Sequence, residues 1–355
     1  MKFLFICGRE IDYTRNQVLL RAFKRIGEVD TIIDTGNTKS LIIKSIKLTL
    51  RSIPRYIFST YDLLFVGFYG HFLMIPAGIF SQKPIIFDAF VSTYDTLVND
   101  RRTFSPQSLP SKFAALLDRI SCHLADKILL DTPGQVQYFA DTFGVPKEKL
   151  YALPVSCNEE IFFPRPKPKH ANSITTVLSY SSYLPIHGID TIIGAADLLK
   201  NEPIHFKMIG NGQLFQSSVS ATQTKALQNI TFLPPVSLKV LSDEIAASDI
   251  CLGGHFGLSA KARRVIPGKI YQMLAMQKPV IAADSPANKE LLKHGISAFF
   301  CPAGDAGALA EAIRTLHGNP QLRDRIASQG RIIYEQNASE AVITEKLRGI
   351  ISAMK

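Results

Sequence analysis

The stretch Phe163-Pro-Arg-Pro-Lys-Pro-Lys169 divides the sequence into two similar halves. Its prolines have no backbone N–H to donate, so the stretch cannot pair as a central strand. We therefore predict a linker between two domains here. On both sides of it, short apolar runs alternate with segments of helical periodicity, which is typical of parallel β-sheets covered by helices on both faces.

The apolar runs predict the strands. In the first half they are Lys2–Cys7, Val29–Thr35, Leu63–Phe68, Pro84–Asp88, Lys127–Asp131 and Leu150–Pro154. In the second half they are Thr175–Ser182, His205–Ile209, Ile230–Pro234, Asp249–Gly253, Pro279–Asp284 and Ala298–Cys301. The fold class predicted from this alternation is α/β, with two Rossmann-like doubly wound domains that face each other across a cleft. Ligands of such sheets bind beyond the carboxyl ends of the strands.

The predicted domain boundaries follow from the linker. Residues 1–163 form the first domain and residues 164–337 the second, while residues 338–355 form a C-terminal helix that returns to the first domain. No apolar stretch approaches the ~20 residues that span a bilayer, and no secretory signal is visible. The cysteines are scattered without a CxxC pair, which fits a reducing compartment. We expect a cytoplasmic protein, free or peripheral on the inner face of the cytoplasmic membrane.

The net charge indicates the general class of partner but does not identify one. The formal net charge is +10 for 355 residues. Such a balance favours anionic partners, whether nucleic acid, phosphorylated ligands or anionic lipid. Nucleic-acid motifs are absent from the sequence, so no nucleic-acid partner is expected. The apolar content of 46% excludes a disordered or collagen-like chain.

The second half carries a series of landmarks in order. They are Ser182-Tyr-Leu-Pro-Ile-His-Gly-Ile-Asp190, Phe206-Lys-Met-Ile-Gly-Asn-Gly-Gln213, Ile230–Pro234, Ala247–Leu252 and Ala275–Ala282, with Glu290 and Gly295 just beyond. In order and spacing they resemble the family-4 glycosyltransferases of the GT-B fold. The resemblance implies transfer of a sugar, usually with retention, from a nucleotide-diphosphate sugar on the C-terminal domain to an acceptor on the N-terminal domain. A glycan or a lipid-linked acceptor of cell-envelope polysaccharide or glycolipid synthesis is expected.

The donor residues depart from the pattern of that family. Its phosphate-binding Arg and Lys fall at Ser181 and His187, and its two glutamates fall at Arg264 and Gln272. We therefore expect Lys269 and Arg264, beside a predicted helix start, to bind the diphosphate. The other residues expected at the donor are Gly8, Ser181, Ser182, His187, Gly210 and Gln272. A solvated basic loop is the alternative for this cluster.

In the first half, Asp88 ends a predicted buried strand. We list it with Arg264 and Lys269 as a catalytic candidate, because a carboxylate there could stabilise a developing oxocarbenium ion or act as a base. The acceptor candidates are Arg9, Arg15, Asn16 and His71; Arg15 and Asn16 could instead simply begin a helix, and His71 could be a packing histidine. Because Asp-x-Asp is absent from the sequence, no metal and no resident cofactor are expected.

Residues Lys39–Arg55 interleave lysine and arginine with leucine and isoleucine and contain no acid. This is a basic amphipathic segment suited to an anionic membrane surface. An ordinary helix with a cationic outer face is the alternative. Two further classes also stay open: a non-catalytic nucleotide-sugar-binding relative, because of the altered donor residues, and a GT-B sugar-nucleotide epimerase.

Overall fold

The structure is a computed structural model that describes residues 1–8, 10–33, 41–166 and 174–354. It divides into two compact units. The first contains Met1–Ser156 together with Glu340 and the residues that follow it, and the second contains Cys157–Ser339. The sequence analysis placed the first boundary after residue 163. The chain joins the second unit earlier because the Cys157 thiol lies 3.2 Å from the Tyr334 hydroxyl within that unit.

The first unit is built on a six-stranded parallel sheet with the order β2-β1-β3-β4-β5-β6. Its strands are β1 (Lys2–Cys7), β2 (Glu28–Ile32), β3 (Leu63–Gly67), β4 (Ile85–Phe90), β5 (Lys127–Leu130) and β6 (Leu150–Ala152). Its helices are α1 (Thr14–Ile26), α2 (Leu41–Phe58), α3 (His71–Phe80), α4 (Leu109–Leu124), α5 (Pro133–Phe143) and α13 (Glu340–Ser352).

Helices cover both faces of this sheet, as the continuous apolar strands require. On one face, Phe5 and Phe65 pack with Phe23 of α1 and Leu347 of α13. On the other face, α2 and α3 pack with α4 and α5, and Phe87 lies in that core. Side chains at the helix starts satisfy backbone N–H groups that would otherwise lack partners, since Thr132 accepts from Gln135 N at the start of α5.

The second unit repeats the design, with a six-stranded parallel sheet in the order β12-β11-β10-β7-β8-β9. Its strands are β7 (Thr175–Ser181), β8 (Ile204–Gly210), β9 (Ile230–Leu233), β10 (Ile250–Gly254), β11 (Val280–Ala283) and β12 (Phe299–Cys301). Its helices are α6 (Ile189–Leu198), α7 (Phe215–Thr224), α8 (Leu238–Ala247), α9 (Gly268–Ala275), α10 (Pro286–Leu291), α11 (Ala306–His317) and α12 (Pro320–Asn337).

Each sheet has a point where the chain reverses the direction in which strands are added. In the second sheet, β7 lies between β8 and β10, and in the first sheet β1 lies between β2 and β3. At such a point the connections leave on opposite faces of the sheet, which opens a crevice beyond the carboxyl ends of the two strands. The predicted α/β class and doubly wound sheets are thus confirmed.

Some elements differ from the sequence predictions. The strand predicted over Val29–Thr35 is β2, Glu28–Ile32; Ile33 is not part of it, and residues 34 and 35 lie outside the described residues. The helix predicted over Lys39–Arg55 is α2, whose described part begins at Leu41. The sequence analysis did not single out α3. That helix contains Pro76 and is apolar almost throughout, so it shows no amphipathic periodicity.

Candidate functional site

Lys269 lies at the carboxyl ends of two neighbouring strands of the second sheet. It is the second residue of α9, which begins after Pro267. Its Nζ donates to the carbonyl oxygen of Tyr180 on β7 at 2.6 Å. A Cβ built on Gly254, the last residue of β10, would lie 3.5 Å from the same Nζ. The ammonium therefore lies at the crevice between β7 and β10, where this fold class binds ligands.

Burial changes the pKa of the Lys269 ammonium. Loss of solvent lowers the pKa of Lys269 from 10.5 to about 7, because a low-dielectric environment disfavours the charged form. The first turn of α9 adds backbone N–H groups, and the helix dipole favours an anion there. Together these features form a site that favours binding of a negatively charged ligand.

Gln272 lies one turn further along α9 and is nearly buried. Its Oε1 accepts a hydrogen bond from the Tyr180 hydroxyl at 2.7 Å. With that oxygen engaged, the amide NH2 group is what the side chain can offer to a ligand hydroxyl. Lys269 and Gln272, both predicted from the sequence, thus both form hydrogen bonds with Tyr180. The sequence analysis did not name Tyr180.

Two histidines stand beside the lysine. The Leu184 backbone N–H donates to Nδ1 of His187 at 3.0 Å, and the rings of His187 and His255 lie 5.7 Å apart. Burial, and secondarily the charge of Lys269, lowers the pKa of His187 to about 3. His187 is therefore neutral at physiological pH, so it can offer a hydrogen bond to a phosphate but no charge.

His255 is a candidate that the sequence analysis missed, since a lone histidine after a strand carries no motif. Burial lowers its pKa well below 6.5, and His187 and Lys269 add to this. Within the described residues its Nδ1 is buried without a hydrogen-bond partner. A buried polar atom of this kind is costly unless a ligand or water satisfies it. His255 also lines a cavity of about 320 Å³ that Arg263, Asp284 and Ser285 share.

The loop ends of β7 and β8 approach closely because glycines allow it. A Cβ on Gly210 would lie 1.9 Å from the carbonyl oxygen of Ser181, and one on Gly212 would lie 1.8 Å from that of Ser182. Both glycines have positive φ angles, 130° and 153°. The predicted residues Ser181, Ser182 and Gly210 therefore lie together at the carboxyl edge of the second sheet. Ser182 is exposed, while Ser181 accepts from the backbone N–H of Tyr183.

The basic loop before α9 is folded rather than fully solvated. Lys261 begins a short 3₁₀ helix and is buried, and Arg264 follows that helix and is half-buried. Arg263 between them is exposed and lines the 320 Å³ cavity. The structure thus places Arg264 in the same unit as Lys269, four residues before α9 begins.

In the first unit, Arg15 and Asp88 form an ion pair that is closed to solvent. Arg15 Nη2 lies 2.8 Å from Asp88 Oδ1, and Arg15 Nε donates to Oδ2 at 3.1 Å. Arg15 Nη1 also donates to the carbonyl oxygens of Leu153 and Pro154. Both side chains are fully buried. The pair ties α1 and β4 to the segment after β6, and the Arg15 guanidinium also lies over the Phe90 ring, 5.2 Å from its centre.

The remaining first-unit candidates also have structural contacts. Asn16 is buried and donates to the carbonyl oxygen of Glu10 at 3.0 Å. His71 starts α3 with its Nε2 3.3 Å from Asp118, and burial lowers its pKa. A Cβ on Gly8 would lie 2.2 Å from the carbonyl oxygen of Tyr69, so glycine is needed where β1 and β3 end. Arg9 lies outside the described residues.

Within residues 1–8, 10–33, 41–166 and 174–354, no group of three or more histidine, cysteine, aspartate or glutamate side chains is arranged to hold a metal ion. In the same part of the chain, no helix is both long enough and apolar enough to cross a membrane.

Two parallel sheets, each with its own reversal point, are the architecture of the GT-B fold, and similar solved structures confirm the predicted fold. An Anabaena structure described as "Alr3699/HepE in complex with UDP and glucose" is similar with a TM-score of 0.72 at 16% identity, covering 99% of both chains. A sucrose-phosphate synthase from Thermosynechococcus elongatus is similar with a TM-score of 0.77 at 13% identity, covering 100% of this chain and 99% of that one.

The family match lies in the second unit. Residues 173–319 match the family model described as "Glycosyl transferases group 1". A "Probable glycosyltransferase WbjE" from Pseudomonas aeruginosa is 27% identical over 176 residues, which are 47% of this chain and 41% of that relative. The chain thus spans less than half the length of this curated relative.

Proposed function

We propose that the protein transfers a sugar from a nucleotide-diphosphate sugar to a glycan or lipid-linked acceptor, with retention, in cell-envelope polysaccharide or glycolipid synthesis. The observation that carries the proposal is the position of Lys269, at the start of α9 and at the carboxyl ends of β7 and β10. The family domain supports it. So do the relatives, since one is named a probable glycosyltransferase and a structural neighbour is described in complex with UDP and glucose.

The donor diphosphate would bind at the first turn of α9. Lys269 supplies a positive charge there, and the backbone N–H groups of the turn supply hydrogen-bond donors. These groups stabilise the leaving diphosphate, because negative charge develops on its phosphate oxygen as the bond to the sugar breaks. Because protein groups carry this charge, the reaction as proposed uses no metal. Gln272 would donate its amide NH2 group to a hydroxyl of the nucleoside.

The acceptor would bind at the carboxyl edge of the first sheet, where Gly8 and His71 lie. In a retaining reaction the departing phosphate oxygen can take the proton of the acceptor hydroxyl, so a strong protein base is not required there. We place the protein in the cytoplasm, peripheral on the membrane through α2, whose described residues carry Lys47, Arg51 and Arg55 on its exposed surface.

The test is nucleotide binding measured by calorimetry with UDP, GDP, ADP, CMP and dTDP. The nucleotide that binds the native chain should lose tenfold or more in affinity with Lys269→Met, because the charge at the helix start is removed. The matched control is Lys239→Met, an exposed lysine on α8 in the same unit. Equal affinity of Lys269→Met and the native chain would rule out the proposed donor site.

A turnover assay then distinguishes the three functional classes that the sequence analysis left open, namely transferase, epimerase and non-catalytic relative. Incubation of the matching sugar nucleotide with membrane extract should release the nucleoside diphosphate and label a glycan or lipid product. Isomerised sugar nucleotide without acceptor would indicate an epimerase, and tight binding without any turnover would indicate a non-catalytic relative.

A further inference from the structure

The outer surface of the first unit is unusually apolar on three of its helices, α2, α3 and α4. More than half of the exposed large apolar side chains among the described residues lie on them. The most exposed are Phe58 at 82%, Leu109 at 80%, Leu50 at 67% and Ile79 at 66%. Because α2 packs against α3 and α3 against α4, these side chains belong to one continuous layer. Patches of this extent on a protein surface mark a binding face.

The exposed residues form stripes along the helices. On α4, Leu109, Phe113 and Leu116 are exposed, and they recur at the helical spacing. On α2, Ile43, Ile46 and Leu50 do the same. These exposed stripes do not pack in the core of the unit. Other side chains of the same helices, such as Leu48 and Leu117, are the ones buried in that core.

The exposed charged side chains on these three helices are all cations, and Glu10 pairs with the buried Lys44 of α2. No glutamate occurs between residues 41 and 124, and of the aspartates in that range only Asp62 is exposed. Asp62 accepts from the Lys2 backbone N–H at the amino edge of the sheet, away from the ligand-binding edge. Exposed cations flank the apolar stripes: Lys47, Arg51 and Arg55 on α2, and Lys112 and Arg119 on α4. Apolar stripes bordered by cations and free of acids complement an anionic lipid surface.

A cavity of about 520 Å³ opens beside this face. It is lined largely by apolar side chains, including Phe68, Leu97, Phe104 and Leu117. Its size falls within the range of small-molecule sites, and such sites are mostly apolar with a few polar groups.

The cavity joins the apolar face to the ligand-binding edge of the sheet. Phe72 of α3 and Phe113 of α4 line it, are both exposed on the outer face, and have ring centres 6.3 Å apart. Tyr69 and Val91, which follow β3 and β4, line it as well. Arg101 contributes a cation to the lining.

We propose that the cavity binds the hydrocarbon chain of a phosphate-bearing lipid acceptor, drawn from an anionic membrane on which α2, α3 and α4 lie. This rests on the proposed function, since it names the acceptor class of that reaction. A hydrocarbon chain that leaves the membrane past Phe72 and Phe113 stays covered by apolar side chains. Its phosphate then meets Arg101 at the edge where the acceptor would bind.

The membrane face is tested by flotation with vesicles of phosphatidylcholine alone and with added phosphatidylglycerol. The native chain should float with the anionic vesicles. The double variant Ile79→Glu, Leu116→Glu should reduce the bound fraction tenfold or more, because it places acids on the face. The matched control is Val240→Glu, Ile332→Glu, which alters exposed apolar residues of the second unit. Absence of flotation with either vesicle, or equal loss in the control, overturns the membrane part of the proposal.

The cavity is tested with dodecyl phosphate below its micelle concentration, with inorganic phosphate and dodecanol as separate arms. Dodecyl phosphate should bind saturably and more tightly than either arm. Ala114→Phe should weaken it tenfold or more, because Ala114 is buried in the cavity lining. Thr93→Phe, at a partly exposed lining position, is the second variant should Ala114→Phe fail to fold.

Binding of the nucleotide to each variant distinguishes the two proposals. If dodecyl phosphate does not bind, or binds the filled cavity unchanged, while the nucleotide still binds, the lipid site is wrong and the proposed donor site stands. If the nucleotide does not bind and dodecyl phosphate does, the donor site is wrong and the lipid site stands.

Discussion

The ammonium of Lys269 lies where burial favours its neutral form, with a pKa near 7. A bound diphosphate would reverse that preference, because an adjacent negative charge stabilises the protonated lysine. His187 and His255 would not compete for that proton, since burial already lowers the pKa of both. Of these three groups, Lys269 is therefore the one whose charge changes near neutral pH, and ligand binding and proton binding are linked through it.

This linkage predicts proton uptake. At pH 8 the free lysine is mostly neutral and the bound one is charged, so binding of the nucleoside diphosphate should take up close to one proton. Affinity should fall as the pH rises above about 7, by up to tenfold per unit. Calorimetry in two buffers of different ionisation heat measures the uptake. Lys269→Arg is the control. Arginine stays protonated at every pH of the experiment, so this variant should take up no proton when the nucleotide binds. A binding enthalpy independent of the buffer would contradict the prediction.

Arg15 and Asp88 show what the sequence could not reveal at this scale. The sequence analysis named both, Asp88 as a catalytic candidate and Arg15 as an acceptor candidate, but gave no reason to pair residues 73 positions apart. Their contact depends on the folded sheet, which brings Arg15 at the start of α1 to Asp88 of β4 across the intervening strand β3. Removing one partner of a buried ion pair costs about 3–5 kcal/mol, because the other charge stays buried and uncompensated. Loss of activity on changing Asp88 would therefore carry a stability component, and the catalytic role of Asp88 stays a prediction.

At the scale of elements, the turn after β8 depends on two glycines more than on any side chain. Gly210 and Gly212 let this turn pass close to the carbonyl groups of Ser181, the last residue of β7, and of Ser182, which follows it. The approach shapes the edge on which Ser181 and Ser182 lie. The sequence analysis placed Gly210 among the residues expected at the donor. The structure shows that the glycines are also required by steric contact.

Gly210→Ala should therefore destabilise the second unit by about 2–3 kcal/mol, from strained backbone and the overlap with Ser181. Nucleotide affinity should weaken with it. Urea unfolding and calorimetry measure the two effects. The matched control is Gly349→Ala, in helix α13 with open space around its Cβ position. That change should stabilise the chain by about 0.5–1 kcal/mol. A Gly210→Ala chain as stable as the native one would show that the turn adapts.

Elements with a strong local signal were predictable. The strands are short apolar runs, most of them with glycine or proline at an end, and the sequence predicts all those of the described sheets to within a few residues. α3 was missed because its residues are nearly all apolar. The 3₁₀ helix over Lys261–Arg263 and the burial of Lys261 could not be predicted either, since a run of cations usually indicates a solvated loop.

At the scale of the whole molecule, the chain leaves the first unit at Ser156 and returns to it at Glu340. Of the linker predicted at residues 163–169, the structure describes residues 163–166, and these lie in the second unit instead. Its described part is anchored there, because Arg165 pairs with Asp243 at 2.5 Å. Proline content marks where a strand is impossible, but it does not mark where contacts between two units end. The latter depends on side chains such as Cys157, which carry no local signal.

The returning helix α13 predicts how the molecule responds to truncation. Glu340 is buried and pairs with Arg21 and Arg25 of α1. Further along α13, Ile343, Leu347, Ile350 and Ile351 are buried in the core that α1 and the sheet share. A chain ending at Ser339 should lose about 6 kcal/mol or more from the first unit, at roughly 1.5 kcal/mol for each of these apolar side chains.

That loss should be confined to one unit, because α13 belongs to the first and the truncation leaves Cys157–Ser339 intact. Pulse proteolysis in urea should show fragments of the first unit cleaved at low denaturant while the second unit persists. Glu340→Gln is the milder companion variant, since it removes the charge opposite two arginines and keeps the apolar contacts. It should shift the same transition in the same direction by a smaller amount. If truncation instead moves both transitions equally, the two units unfold as one, and the division of the chain at Ser156 and Glu340 has no thermodynamic meaning.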